Sequence, residues 1–531
     1  MSSVSMTASA VPFVASPPRA STKDWISVLA CMIGAFMAIL NIQITNASLL
    51  DIEGGIGTGV DNGAWISTAY LIGEIIVIPL TDYLSRVFSF RRYLLVNAVL
   101  FPLFSIGCAF THDLGSMIVM RGLQGFAGGI LIPMAFTIVL TKLPKAQQPI
   151  GLALFSLAVT FAPAIGPTIG GWLTDNYGWQ TIFYINLAPG TVMLAALIYG
   201  LPQSPAQLGL LRRGDWLGIA LMAVGLAALQ TVLDEGTVYD WFDSPFIVRL
   251  SLIAGVMLTA FIVVELMTKE PLVQLRLLAR RNFGFGTLGN FLVGFALYAS
   301  AYLLPQYLAA SQGFNAQQTG EVMAWTGLPQ LIVIPFVPFL MRRIDPRLLV
   351  GVGLMVFATS CFMNLHLDTN YAAPQLFVPD VTRALGQSIV MTPLSAIAVV
   401  GISPAEAGSA SGLFNMLRNL GGAIGTSAVE TFFTKREQYH SFIINAHVSV
   451  LEPATRQRLV ELQQYFMAHG TPDAAGATHL AMVAIGSSIR AQATLMGYAD
   501  CFALLGVVLL CAILAVAMLK KAAAAAAGGT H

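Results

Sequence analysis

The chain has 531 residues, 56% of them hydrophobic and only 10% charged, and a formal net charge of +1. Soluble domains carry roughly 25% charged residues, so a fully water-facing surface is excluded and lipid must cover much of this one. The near-neutral balance also excludes nucleic-acid binding, which needs a basic face.

The first two dozen residues are rich in Ser, Pro and Ala and lack the basic-then-apolar order of a signal peptide. A membrane-crossing helix needs roughly 20 mostly apolar residues. Fourteen such runs follow in chain order, at about 25–50, 64–80, 93–111, 116–140, 149–173, 181–201, 215–234, 246–268, 284–309, 319–341, 347–365, 375–402, 408–433 and 496–519. An outer segment at 434–495 separates the last two, and its stretch from Glu452 to Phe466 reads as an amphipathic helix. That helix is either a cap over the outer face or a partner-docking element. A low-complexity alanine tail closes the chain after Lys520 and Lys521.

Basic residues set the expected orientation. Arg86, Arg91 and Arg92 follow run two, Lys142 and Lys145 run four, and Arg212 and Arg213 run six. Lys269, Arg276, Arg280 and Arg281 follow run eight, Arg342, Arg343 and Arg347 surround the link after run ten, and Lys520 and Lys521 end the series. The short opposite links hold Asp51, Glu53, Asp61, Asp113, Asp175, Asp240 and Asp243, with no Lys or Arg. This alternation predicts both termini in the cytoplasm. Only the link Ser403–Ala407, after run twelve, lacks a basic residue.

The chain also repeats itself. Leu84, Arg86 and Arg91 recur as Leu340, Arg342 and Arg347, displaced by 256 positions; Gly166 and Gly170 recur as Gly421 and Gly425, displaced by 255. Arg121-Gly-Leu-Gln-Gly resembles Arg383-Ala-Leu-Gly-Gln. Runs two to five thus map onto runs ten to thirteen, which leaves runs seven and eight as an insert between two six-helix halves around a central cavity. The expected divisions are a cytoplasmic segment 1–24, a first bundle 25–201, a linker with two inserted helices 202–283, a second bundle 284–519 with its outer loop, and a tail 520–531.

Several stretches resemble known motifs. Thr81-Asp-Tyr-Leu-Ser-Arg-Val-Phe-Ser-Phe-Arg-Arg92 resembles the cytoplasmic loop motif of the major facilitator superfamily, although Thr81 and Ser89 stand where glycines are usual. Met120 to Gly129 resembles its fourth-span motif, and Ala162-Pro-Ala-Ile-Gly-Pro-Thr-Ile-Gly-Gly171 its antiporter motif. Asn176 to Trp179, Ile182 to Asn186, Leu233 to Gly236 and Phe414 to Gly422 resemble the EmrB-type branch of the fourteen-helix drug:proton antiporters. The resemblance runs from about Trp25 to Lys521. It implies an all-α integral membrane protein of the major facilitator fold, with fourteen spans. It further implies a proton-driven exporter of small amphipathic molecules in a bacterial inner membrane. A periplasmic adaptor and an outer-membrane channel are the implied partners. A dedicated exporter of a metabolite, siderophore or fatty acid, and a transport-dead receptor or scaffold, are the other readings.

Each motif also has a reading in its residues. Asp82, Arg86 and Arg92 are either topology-setting charges or a cluster that holds one conformation and breaks in another. Gly166, Gly170 and Gly171 let a neighbouring helix approach closely, while Pro163 and Pro167 remove backbone donors. Arg121 is a charge near the middle of a run, a placement that costs roughly 2.5–3.5 kcal/mol and demands partners. Gln124 lies one turn along, and Asn41, Gln43 and Asn46 in run one are candidate facing groups.

The superfamily's acidic residue in run one is replaced here by Asn41, which cannot titrate. Glu74, inside run two, is the carboxyl best placed to take up and release a proton as its surroundings change. By the resemblance Arg121 takes part in that coupling. Asp380 and Arg383 share a helix face, as an ion pair or as second participants, and Arg418 is a further cavity candidate. Glu321 and Glu430 near the ends of runs, and Asp234 and Glu235 closing run seven, read as groups at the water-facing surface.

No Gly-x-x-x-x-Gly-Lys-Ser loop is present, so ATP is not the expected energy source. The five cysteines and seven histidines have no metal-ligand spacing, and no cofactor is expected. The histidines fall in outer links or the tail.

Overall fold

Apolar runs dictate helices, because in lipid every backbone polar group must be satisfied within the segment. The computed structural model describes residues 20–520 apart from 269, 270, 369 and 472, and the side chains of Val60, Asp61 and Arg213 are not among those described. Residues 1–19, Lys269 and the tail from Lys521 lie outside the described residues.

The helices follow the expected runs. They are α1 (Thr22–Ala47), α2 (Val60–Phe88), α3 (Phe90–Ala109), α4 (Leu114–Lys142) and α5 (Gln148–Tyr177). Next come α6 (Thr181–Gly200), α7 (Trp216–Glu235), α8 (Pro245–Met267), α9 (Arg281–Gln312) and α10 (Ala316–Leu340). The chain continues as α11 (Pro346–His366), α12 (Ala373–Ala398), α13 (Ala407–His447), α14 (Pro453–Ala468) and α15 (Ala474–Ala517). Among the described residues twelve helices, α1 to α11 and α15, are long and apolar enough to cross a membrane. The other two long helices, α12 and α13, are more polar and hold much of the charge described below.

Local chemistry sets the ends. Ser21 and Asp24 form a reciprocal capping box on α1, a device worth about 1 kcal/mol. Asp113, Asp215 and Asp473 cap α4, α7 and α15 by accepting from Ser116, Gly218 and Gly476 backbone N–H groups at 2.9, 2.8 and 2.8 Å. Part of the acidic pattern between runs is therefore helix capping. Helix α10 is the irregular one: it breaks at Trp325–Gly327 and tightens to a 3₁₀ turn at Ile334–Phe336. Pro329, Pro335 and Pro338 account for this, each removing a backbone donor. Helix α5 runs unbroken through Pro163 and Pro167.

The packing repeats between the two parts of the chain. Helix α1 packs on α5 and α6, and α9 packs on α13 and α15; α3 packs on α4, and α11 on α12. The glycines explain the closest of these contacts. A Cβ on Gly166 or Gly170 would collide with Gln43 or Ile44 of α1, and one on Gly421 or Gly425 would collide with Phe291 or Phe295 of α9. The same small-residue seam is used twice. Gly171 faces elsewhere, against Ala316 of α10. This is the all-helical, pseudo-symmetric architecture expected from the repeat.

The segment 434–495 departs from an outer loop. Helix α13 continues to His447, α14 follows, and α15 begins at Ala474, so most of it is helical. Helix α14 has no buried residue and packs along α15, rather than lying as a cap across the bundle. His440, expected in a link, sits inside α13 and is buried. It is 2.6 Å from Asp500 of α15, which Arg436 also binds at 2.6 Å. These bonds fasten the extensions of α13 and α15 to one another.

Candidate functional site

Arg121 is fully buried on α4. Its Nη1 donates to Asn41 Oδ1 at 2.6 Å and to Gln124 Oε1 at 2.7 Å, and its Nε to the Ile66 carbonyl at 3.2 Å. The guanidinium also lies over the Tyr70 ring, 4.4 Å from its centroid, a contact worth about 0.5–2 kcal/mol. Every one of these partners is neutral. Nη2 has no hydrogen-bond partner among the described residues. Gln43 and Asn46, also expected to face Arg121, do not: Gln43 lies against Gly166, and exposed Asn46 accepts from Ser67 at 2.6 Å.

Glu74 is 2% exposed on α2 and accepts from Asn419 Nδ2 at 2.7 Å, while its Oε2 is buried and unpartnered. Arg418, the neighbour of Asn419 on α13, is fully buried and bonds Asn419 Oδ1 at 3.1 Å; its Nε and Nη1 have no partner among the described residues. Both Arg418 and Arg121 are near enough to act electrostatically on Glu74. The centre thus gathers two buried guanidiniums, one from each half, around one carboxyl. Asn419 lay inside the recognised Phe414–Gly422 stretch, but nothing in its type marked it as the partner of Glu74.

Contacts between the two halves bridge the seam along its length. At the end carrying Arg86, Ser409 of α13 donates to Asp82 at 2.8 Å and Ser411 to the Pro133 carbonyl at 2.6 Å. Beside these contacts the rings of Phe136 and Phe414 stack, 5.5 Å apart, and in the middle lies the Glu74–Asn419 bond. At the opposite end Thr168 of α5 donates to the Gly320 carbonyl of α10 at 2.5 Å.

The gate residues are partly joined. Arg86 pairs with Asp82 at 3.3 Å, whereas the Arg92 side chain is exposed and its backbone N–H goes to Ser89. The third member of the cluster is Ser409, from the other half. The link Ser403–Ala407, without a basic residue of its own, receives Arg280: its Nη1 and Nη2 reach Glu406 at 3.0 and 2.5 Å.

Asp380 and Arg383 share a face of α12, yet no ion pair forms between them among the described residues. Arg383 donates to the Ser300 carbonyl at 3.3 Å. Asp380 instead lines a cavity of about 360 Å³ with Glu321, Trp325 and Phe377. Glu235, read from the sequence as lying at the outer surface, is fully buried, and Glu430 interacts with it and with Asp234 inside the bundle.

Two pseudo-symmetric helical halves meeting on a polar, charge-bearing seam define a multi-pass helical membrane protein of the transporter type. The family profile of the major facilitator superfamily matches residues 31–426. The chain is 32% identical to the colistin resistance protein EmrB of Acinetobacter baumannii over 91% of its length and 94% of that protein's. It is 29% identical to the fatty acid resistance protein FarB of Neisseria gonorrhoeae, over 97% of this chain and 99% of that one. Among solved structures the human organic anion transporter MFSD10 superposes with a TM-score of 0.58 at 15% identity, covering 93% of this chain and 100% of the other; that likeness concerns the fold. The chain belongs to the major facilitator superfamily, in its EmrB-like drug:proton antiporter branch.

Proposed function

We propose that the protein is a proton-coupled multidrug exporter that moves amphipathic molecules outward by alternating access. In this reading both termini are cytoplasmic, α1 to α13 and α15 make fourteen crossings of a bacterial inner membrane, and α7 and α8 are inserted between the bundles 25–201 and 284–519. A periplasmic adaptor and an outer-membrane channel complete a tripartite pump.

The observation that carries the reading is the bond from Asn419 to Glu74. It joins the halves through a group that can hold a proton, in a chain whose run-one position is Asn41. An ionised Glu74 attracts Arg418 and accepts from Asn419; a neutral one loses most of the attraction, so protonation biases the seam. Arg121 anchors α4 to α1 and α2 beside it. The Asp82–Arg86–Ser409 cluster and the Thr168–Gly320 contact act as the two gates, and Gly166 and Gly170 keep the α1–α5 pair rigid while the halves rock.

A second reading, an exporter of anionic amphiphiles such as fatty acids, is favoured by the two buried guanidiniums against one carboxyl. The name of the gonococcal relative accords with it. Purified protein in liposomes, loaded with a pH-sensitive dye and given ethidium or oleate, tests both. Proton movement driven by either compound supports coupled export, and the compound that drives it selects the substrate class. Export of both without proton movement would sink the coupling.

A further inference from the structure

The inserted helix α7 ends in Asp234 and Glu235 and does more than link the bundles. It packs on α2 of the first half and touches α13 of the second, where Thr237, just past its end, meets Thr431 at 3.4 Å. Glu235 is 0% exposed and its Oε1 accepts from Thr68 of α2 at 3.4 Å. Its other oxygen, Oε2, is buried with no hydrogen-bond partner among the described residues.

The carboxyl of Asp234 is adjacent and takes both hydrogen bonds of the Gln230 amide at 3.0 Å, with Thr68 also in reach. From α13, Glu430 interacts with both acids and is bonded by Tyr302 of α9. No Lys, Arg or His among the described residues forms an ion pair with any of the three. Three adjoining carboxyl groups without a neutralising cation repel one another when all are ionised. A proton shared among them removes the repulsion and gives the unpartnered Oε2 a role.

We propose that Asp234, Glu235 and Glu430 form a second exchangeable-proton site, through which the inserted α7–α8 pair is coupled to the movement of the two halves. Two of its acids ride on α7 with the first half, through Thr68, and the third belongs to the second half. Closing the seam brings Glu430 to the pair and favours uptake of a proton. Opening it separates the groups, lets each ionise in water, and releases the proton. The site deepens the proton-coupled reading and rests on it.

Infrared difference spectra of the purified full chain, titrated with acid and alkali, test this without any substrate. Glu235→Gln should remove one protonated-carboxyl band, and Glu74→Gln a different one. Thr68→Val, which keeps every charge, should retain the cluster's band but shift its midpoint by roughly one pH unit. In liposomes under an imposed pH gradient, Glu235→Gln should slow ethidium or oleate export roughly tenfold, while Glu235→Asp restores export with a displaced pH profile.

Unchanged bands and pH profiles in both Glu235→Gln and Glu430→Gln would overturn the inference. So would a band that responds to sodium at constant pH, which would make the cluster a metal-cation site. If Glu74→Gln abolishes proton flux and Glu235→Gln behaves as wild type, this inference alone falls. If wild-type export carries no proton flux, the coupled reading falls with it.

Discussion

Glu74 and Asn419 lie 345 positions apart, yet a 2.7 Å hydrogen bond between their side chains bridges α2 and α13 at the middle of the seam. A glutamine at position 74 can still accept that bond through its amide oxygen, but it cannot carry a proton. Glu74→Gln should therefore fold, bind substrate with an affinity within several-fold of wild type, and lose gradient-driven export. Asn41→Asp adds a carboxyl next to Arg121 and should restore part of the export of the Glu74→Gln protein. Normal pumping by Glu74→Gln would move the search to Asp380→Asn.

Arg121 is fixed from three directions at once, by Asn41, Gln124 and the Ile66 carbonyl. Lysine offers one point charge in place of a rigid fork and cannot reach all three. Arg121→Lys should cut export by at least roughly tenfold while the protein stays folded. Arg121→Met leaves the buried Asn41 Oδ1 without its donor, at a cost of about 1–3 kcal/mol, and should also lower the melting temperature. Equal export by Arg121→Lys and wild type would reduce Arg121 to a structural hub.

The contact between Thr168 and Gly320 closes one end of the seam, and a side chain at Gly320 would run into the Thr168 backbone. Gly320→Leu should hold that end open. Phe161, two turns deeper on α5, faces the same seam against Gly327. A cysteine placed there should react slowly with an impermeant maleimide in the otherwise wild-type chain and several-fold faster with Gly320→Leu. Equal rates would mean that the end is sealed elsewhere.

The helices were legible because apolar length and proline placement dictate them, and the glycine repeat correctly announced a seam used twice. Side-chain partnerships were less so. Asn41 and Gln124 were found for Arg121 because helical spacing limits who can face it. Gln43 and Asn46 sit on the same helix as Asn41 but at angles that turn them toward α5 and toward Ser67. Asn419, Arg280 and Glu430 act across long sequence separations, where no periodicity points. Asp234 and Glu235 look like the exposed end of a helix until α2 and α13 are seen to close over them. The segment at 434–495 resembles a loop in the sequence because polar residues interrupt its apolar pattern, although most of it is helical.

Arg280 and Glu406 link the insert's exit to the α12–α13 connection. The two hydrogen bonds from Arg280, with those from Ser403, hold the Glu406 carboxyl down at about 2. A depressed carboxyl contributes stability that is present above its unfolded value, near 4.3, and lost as pH falls through the folded one. The pair should thus be intact across the physiological range. Glu406→Gln should lower the melting temperature slightly, since the group is largely solvated and screened. The gap from wild type should stay constant from about pH 8 to about pH 5 and close towards about pH 2. A gap that changes between about pH 8 and about pH 5 would assign the effect to another group.

Helix α14 and the extensions of α13 and α15 form a projection whose apolar side chains face outward. Phe442 is 71% exposed, Leu451 86% and Tyr465 54%. Helix α14 itself buries nothing, so its own packing does not cover such side chains. The proposed adaptor would cover them, since aromatic and aliphatic anchors ringed by polar residues are the usual core of a docking surface. The Arg436–His440–Asp500 contacts would hold the projection upright to meet it. Photo-crosslinkers at Val460 and Tyr465 should capture a co-expressed periplasmic adaptor, and crosslinkers on the lipid-facing side of α8 should not. Tyr465→Asp should weaken the complex while leaving export by the isolated protein in liposomes unchanged. If removing residues 450–471 leaves both the complex and whole-cell export intact, the projection is not the adaptor's seat.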